Sequence, residues 1–217
     1  MVTQIIKSAV LSGLILILPA VMYAQDIKPI KLLKPQTESG KPLMQALKER
    51  RSQREFNSQE LPLQVMSDML WAAFGINRPD SGERTAPTAM HMYEIDIYVA
   101  KAEGLYLYNA KENMLMPVLA GDIRGLTGKQ PFVQDAPVNL IYVADLSKMS
   151  KVPPANIDFY AAADTGFISE NVYLYCASMG LATVVRGYID VPALAKAMKL
   201  RPDQKVILAQ TVGYPRK

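Results

Sequence analysis

The feature that most restricts how this chain can fold is a helical stretch of about six turns, residues 158–180. Within it Phe167, Ile168, Val172, Tyr175, Cys176 and Met179 recur at helical spacing, and Gly180 supplies a stop. Much of the segment is apolar all round rather than along one stripe. A helix of that kind must be covered on several sides, so it belongs at the centre of a domain or at a subunit interface. The other elements have to be arranged around it.

Those elements follow in order. Residues 26–41 are rich in Lys and polar groups, and Pro29, Pro35 and Pro42 make a helix there improbable, so an extended arm is expected. Leu43, Met44 and Leu47 share one face of a first helix over residues 43–51. A second helix, residues 63–74, buries Val65, Met66, Met69, Leu70 and Phe74, with Trp71 packed in the core and Gly75 as its C-terminal cap. Residues 77–88 have loop chemistry. Residues 93–99 alternate as a strand with one wet face, and residues 105–108 and 114–118 form a hairpin. Residues 138–144 are nearly continuously apolar, as an interior strand should be. After the long helix come a short strand (181–185), an Arg186-Gly187 turn, a helix (191–199) capped by Asp190, and a closing strand (205–212). This order indicates an α+β sandwich. The glycine-rich turn between a first strand and its helix, needed by a dinucleotide-binding fold, is missing.

Composition removes whole classes of chemistry. Cys176 and His91 are the only cysteine and the only histidine, so an intrachain disulfide, a zinc cluster and a Ser/His triad all lack their parts. Cys176 sits among helix-interior neighbours and reads as a buried thiol. With 24 Lys and Arg against 20 Asp and Glu the chain is only mildly basic, and no basic tract with interleaved aromatics suggests nucleic acid. The cations suit a small anionic ligand better. At the start, Lys7, an apolar run over residues 9–20 and the small Ala24 read as a signal peptide, residues 1–24, with an uncleaved anchor as the alternative. The domain organisation is then a signal peptide, an arm over residues 25–41 and one domain over 42–217, exported to the periplasm or the extracellular space with no stable membrane span after cleavage.

One charged cluster stands out: Glu49-Arg50-Arg51-Ser52-Gln53-Arg54-Glu55-Phe56, with three arginines and a serine in five residues at the end of the first helix. Arginine there complements the helix dipole, and its planar fork also suits phosphate. Three further blocks join it: Arg84-Thr85-Ala86-Pro87-Thr88-Ala89-Met90-His91-Met92-Tyr93; Asp164-Thr165-Gly166 through Asn171 to Gly180-Leu181; and Arg186-Gly187-Tyr188 with the late Gly213-Tyr214-Pro215. In this order the four blocks resemble the nitroreductase family of FMN enzymes, particularly the branch that includes azoline oxidases.

The resemblance implies a three-layer α+β sandwich, a central mostly antiparallel sheet flanked by helices, in an obligate homodimer whose flavin sites draw on both subunits. It implies FMN as cofactor, with Arg50 on the phosphate, Arg51 beside it, Ser52 on phosphate or ribityl, and Arg54 near the N1 and C2-carbonyl edge. There a cation stabilises the charge that reduction creates. Pro87, Thr88 and Ala89 would approach the ring and ribityl through backbone atoms, and His91 falls near a flavin-edge position. The turn at Arg186 and Gly187 would face N5, and Arg216 could complete the phosphate site. Gly187 has an equal reading as a tight-turn glycine. No metal is implied. The function implied is ping-pong transfer of two electrons from a small-molecule donor to a flat acceptor such as a nitroaromatic or quinone. A non-catalytic flavin-binding protein and an azoline or dehydroamino-acid oxidase are the alternatives. Export adds a constraint: NAD(P)H is a cytoplasmic reductant, so an exported member needs another donor or must run as an oxidase.

Overall fold

The computed structural model describes residues 26–216; the signal-peptide reading falls outside the described residues. The sheet is built outward from one strand, Val138–Asp145, in which all eight residues are buried. Taking elements in chain order, the strands are β1 (Ile30–Lys31), β2 (Ile76–Arg78), β3 (Glu83–Arg84), β4 (Ile95–Ala100), β5 (Gly104–Asn109), β6 (Met114–Ala120), β7 (Val138–Asp145), β8 (Ala182–Arg186) and β9 (Gln204–Gly213). The helices are α1 (Leu43–Glu49), α2 (Leu63–Phe74), α3 (Phe132–Asp135), α4 (Ile157–Met179) and α5 (Val191–Met198). Seven strands pair in the order β1-β6-β5-β4-β7-β9-β8, every pair antiparallel. β2 and β3 form a separate small hairpin.

Alternation along β7 explains the layering, because successive side chains leave a strand on opposite faces. Val138, Leu140, Tyr142 and Ala144 join Met66, Met69, Leu70 and Phe74 of α2 and Ile168, Val172 and Cys176 of α4. Ile141 and Val143 meet Leu194 and Met198 of α5 on the other face, with Tyr98, Leu105 and Val206. Helices therefore cover both faces, which is why β7 reads as continuously apolar. The same cover corrects the expectation for β4: of its six residues only Asp96 is partly exposed, so the strand has no wet face.

Several local expectations hold. Asp190 caps α5, its Oδ1 accepting from Ala193 N–H at 3.2 Å. Cys176 is fully buried, and burial pushes its thiol well above the ordinary range, so it acts as a packed apolar group. Others need correction. α1 ends at Glu49, not Arg51, because Arg50 closes the last turn through Ala46 O and then goes extended. Its apolar stripe points outward: Leu43, Met44 and Leu47 are all exposed, and Ala46 alone is buried. Trp71 is only half-buried, its indole N–H donating to Ile76 O at 3.1 Å. Gly75 does cap α2, yet with extended backbone (φ −72°) rather than left-handed.

Gly180, by contrast, is left-handed at φ 72°, and a methyl group added there would meet nothing within 4 Å. Replacing it with alanine therefore costs conformational strain alone. Gly180→Ala should lose about 1 kcal/mol of stability in chemical denaturation, the penalty of placing an L-residue in that region. A stability equal to wild type would show that the α4 terminus relaxes freely.

Candidate functional site

Past α1 the chain runs extended, and three hydrogen bonds fix its course. Gln53 N–H donates to Thr183 O of β8 at 2.9 Å. Ser52 Oγ lies 2.8 Å from Tyr173 Oη on α4, and that hydroxyl accepts Val185 N–H at 2.9 Å. A phenol has one proton to give, so Tyr173 can pass it to Ser52 Oγ. The Ser52 proton is then left for an incoming acceptor. Further along, Phe56 pairs with Pro215, Arg216 N–H donates to Glu55 O, and Arg216 Nε donates to Phe56 O at 3.2 Å. The chain's late residues are thus pinned to the arginine segment.

This arrangement leaves the arginines facing outward. Among the described residues Arg50, Arg51 and Arg54 have no carboxylate within 4 Å. Arg50 lies over the Tyr173 ring, 5.2 Å from its centroid. With Arg51, Lys41 and Lys48 it lines a cleft of about 500 Å³ whose single carboxylate is Glu49. Glu49 is engaged by Lys41, and that contact holds its carboxyl below the usual range. Arg54 and Arg216 line a second cleft of about 250 Å³, and Gln53 and Pro215 border both. The two clefts form one electropositive edge suited to a phosphorylated ligand.

The Arg186-Gly187 turn follows the strand against which the arginine segment is held. It ends β8, and Arg186 lies three residues beyond Thr183, or about 10 Å along the strand. Gly187 is exposed, its φ is not left-handed, and an added Cβ would meet nothing nearer than Leu208 at 3.7 Å. The fold itself does not demand glycine here, which removes the tight-turn reading. What the glycine leaves is an unobstructed backbone surface, as close approach of a flat ligand requires.

Arg186 plays another part than the resemblance suggests for the turn as a whole. Its side chain is buried, donating to Thr127 O at 2.6 Å, Asn139 Oδ1 at 2.9 Å and Thr211 Oγ1 at 3.0 Å. Burial without a carboxylate pulls the guanidinium down to about 10, so it stays charged near neutrality. Only the backbone at this position remains for a ligand.

The remaining candidates sit apart. Pro87, Thr88 and His91 line a third cleft of about 190 Å³ with Arg78, Glu83, Arg84 and Tyr93. Ala89 N–H is already committed, donating to Asp164 Oδ2 at 2.8 Å. Asp164 and Tyr173 are nine residues apart on α4, which separates this loop from Ser52 by about 14 Å along the helix. Met90, His91 and Tyr93 all have positive φ, near 50°, at a cost of about 1–2 kcal/mol for each such residue. Thr88 Oγ1, accepting Tyr93 N–H at 3.2 Å, helps to hold the bend. His91 is exposed, with Nδ1 3.4 Å from Tyr93 Oη and 3.9 Å from Glu83.

Sequence reading missed Lys41, Lys48 and Tyr173. The first two lie outside the arginine block, and Tyr173 occupies a position where the block on α4 specifies no residue type. Each of Arg50→Ala and Arg54→Ala should weaken FMN binding by about 1.5–3 kcal/mol, the worth of a charged hydrogen bond. Tyr173→Phe, which frees Ser52 and leaves Val185 N–H without its acceptor, should cost about 0.5–1.5 kcal/mol of FMN binding. Titration by flavin fluorescence measures all three; the reverse ranking would place the phosphate elsewhere.

The sequence pattern of the Nitroreductase family matches residues 47–214. A nitroreductase-family protein of Methanocaldococcus jannaschii is 31% identical over 169 residues, which cover 73% of this chain and 85% of that one. A crystal structure of a nitroreductase-family protein from Ralstonia eutropha JMP134 superposes with a TM-score of 0.85 at 43% identity, covering 90% of this chain and 93% of its own. A Desulfovibrio desulfuricans family protein in complex with FMN shares the fold, with a TM-score of 0.60 at 19% identity over 82% of this chain and 89% of its own. The chain belongs to the nitroreductase family of FMN-dependent oxidoreductases.

Proposed function

We propose that the protein is an exported, homodimeric enzyme that binds FMN along the electropositive edge and moves two electrons from a small-molecule donor to a small flat acceptor of the nitroaromatic or quinone type. The observation that carries this reading is the joining of the arginine segment to β8 by Gln53 and by the Ser52–Tyr173–Val185 chain. Those bonds hold the arginine segment against β8, the strand that leads to the open Gly187 backbone, which supports one ligand reaching both. When bound, FMN supplies reversible two-electron chemistry. Arg50 and Arg51 hold its phosphate. Ser52 donates to phosphate or ribityl. Arg54 sets a positive charge beside the edge that becomes negative on reduction.

Two features support a homodimer. Leu43, Met44 and Leu47 on α1 and Phe167 on α4 are exposed, an apolar surface a second subunit would cover. The loop at residues 87–91 lies about 14 Å along α4 from Ser52, and across a two-fold it can serve the site of the other subunit. Export rests on the charged start, apolar run and small Ala24 of residues 1–24. No helix of the described residues is long and apolar enough to cross a membrane.

Residues 25–217, purified and mixed with FMN, should give a yellow protein that sediments as a dimer and is reduced by an artificial donor in solution, then reoxidised by a quinone. A monomer that leaves FMN free would contradict the proposal. A yellow dimer inert to every donor would instead make it a flavin-binding protein without turnover.

A further inference from the structure

Behind the strained 88–93 segment lies a carboxyl pair that the flavin chemistry does not use. Glu94 is completely buried, and neither of its carboxyl oxygens has a hydrogen-bond donor from another residue. Asp164 of α4, itself only 3% exposed, lies against it, and Asp164 Oδ2 receives the Ala89 N–H at 2.8 Å. Two neighbouring carboxylates out of water cannot both be ionised at modest cost. With the Ala89 amide on Asp164 and no neighbouring residue donating to Glu94, the charge belongs on Asp164 and the proton on Glu94.

We propose that Glu94 and Asp164 share one proton and together position the 88–93 segment: protonated Glu94 donates to Asp164, and Asp164 grips the Ala89 amide. Glu94 is thus a positioning residue, acting on the loop through Asp164. Met90, His91 and Tyr93 adopt left-handed backbone that only tertiary anchors can hold, and the Asp164–Ala89 bond is the anchor at the segment's entry. That this segment borders the FMN slot rests on the function proposed above.

The surrounding charges set the direction of the pH response. Burial and the Asp164 charge push the Glu94 carboxyl up to about 7, against the pull of its own backbone N–H and of Lys148. Lys148, in the turn after β7, is itself held by Asp96 Oδ1 at 2.9 Å and donates to Tyr93 O at 3.4 Å. A carboxyl raised on folding makes the folded state the better proton binder between its unfolded value and about 7. Stability is therefore lost as pH rises through that window, and the loop loosens once the pair carries two negative charges.

Two measurements separate this inference from the assignment of the slot. Carbon NMR of the carboxyl groups, without flavin, should show one glutamate titrating near pH 7 that disappears in Glu94→Gln. Absence of that titration would overturn the shared proton whatever the protein binds. FMN affinity is then compared between wild type and Glu94→Gln from pH 6 to pH 9, as a ratio in which ionisation of the flavin phosphate cancels. The glutamine amide still donates to Asp164 but cannot ionise, so wild type should fall at least threefold relative to the variant as pH rises. Asp164→Asn, which accepts from Ala89 and donates to Glu94, should bring the glutamate titration back toward the ordinary carboxylate range. A constant ratio beside a confirmed NMR titration would overturn the positioning role and leave the shared proton intact. Failure of wild type to bind FMN would overturn the slot assignment, and the positioning role with it; failure of Glu94→Gln alone at pH 6 would overturn the positioning role only.

Discussion

The interaction on which the proposed site most depends is a single backbone bond, Gln53 N–H to Thr183 O. Without it the arginine segment would be a charged strand end after a short surface helix. With it, and with the Tyr173 hydroxyl bridging Ser52 to Val185, three guanidinium groups are laid beside the sheet edge and the Gly187 turn. Neutral groups do the fixing, so the cations are free for a ligand. A site built the other way, with carboxylates holding the arginines, would offer no net charge to a phosphate.

The ground under that edge is polar where a sheet interior is usually apolar. Arg186, Asn139 and Thr211 form one buried cluster, and Gln210, Thr183 and Tyr142 form another beside it. A buried cation without a carboxylate is costly unless its donors are all matched. Here the carbonyl of Thr127 and three side-chain oxygens, from Thr127, Asn139 and Thr211, give every guanidinium nitrogen a partner, and Gly128 makes room, since a Cβ there would lie 1.9 Å from the guanidinium. The turn after β8 is thereby tied to β7, β9 and the segment before α3. Rigidity of this kind suits a surface that must present backbone to a planar ring.

Long periodic elements were legible from sequence. Residues 63–74 and 158–180 carry enough helical repeats to set their bounds, and residues 138–144 enough continuous apolar length to be placed at the centre. Short elements were not: β1 and the β2–β3 hairpin span two or three residues per strand, less than any hydrophobic period, and rest on pairing with distant chain. The direction in which the α1 stripe faces was not legible either. Its stripe is real, but which side meets α4 is a tertiary matter that spacing cannot encode. In the site, the arginine block announced itself as local chemistry. The Tyr173 bridge joins residues 121 apart and the Asp164–Ala89 anchor residues 75 apart, so no window of sequence contains them.

The most direct test of the account is backbone hydrogen exchange of the intact protein with and without FMN. The account predicts flavin-dependent protection in two stretches together, residues 50–56 and 186–188, with a third at 86–91 contributed across the subunit boundary. Protection confined to one of the first two, or to neither, would mean that the arginine segment and the Gly187 turn do not share a ligand.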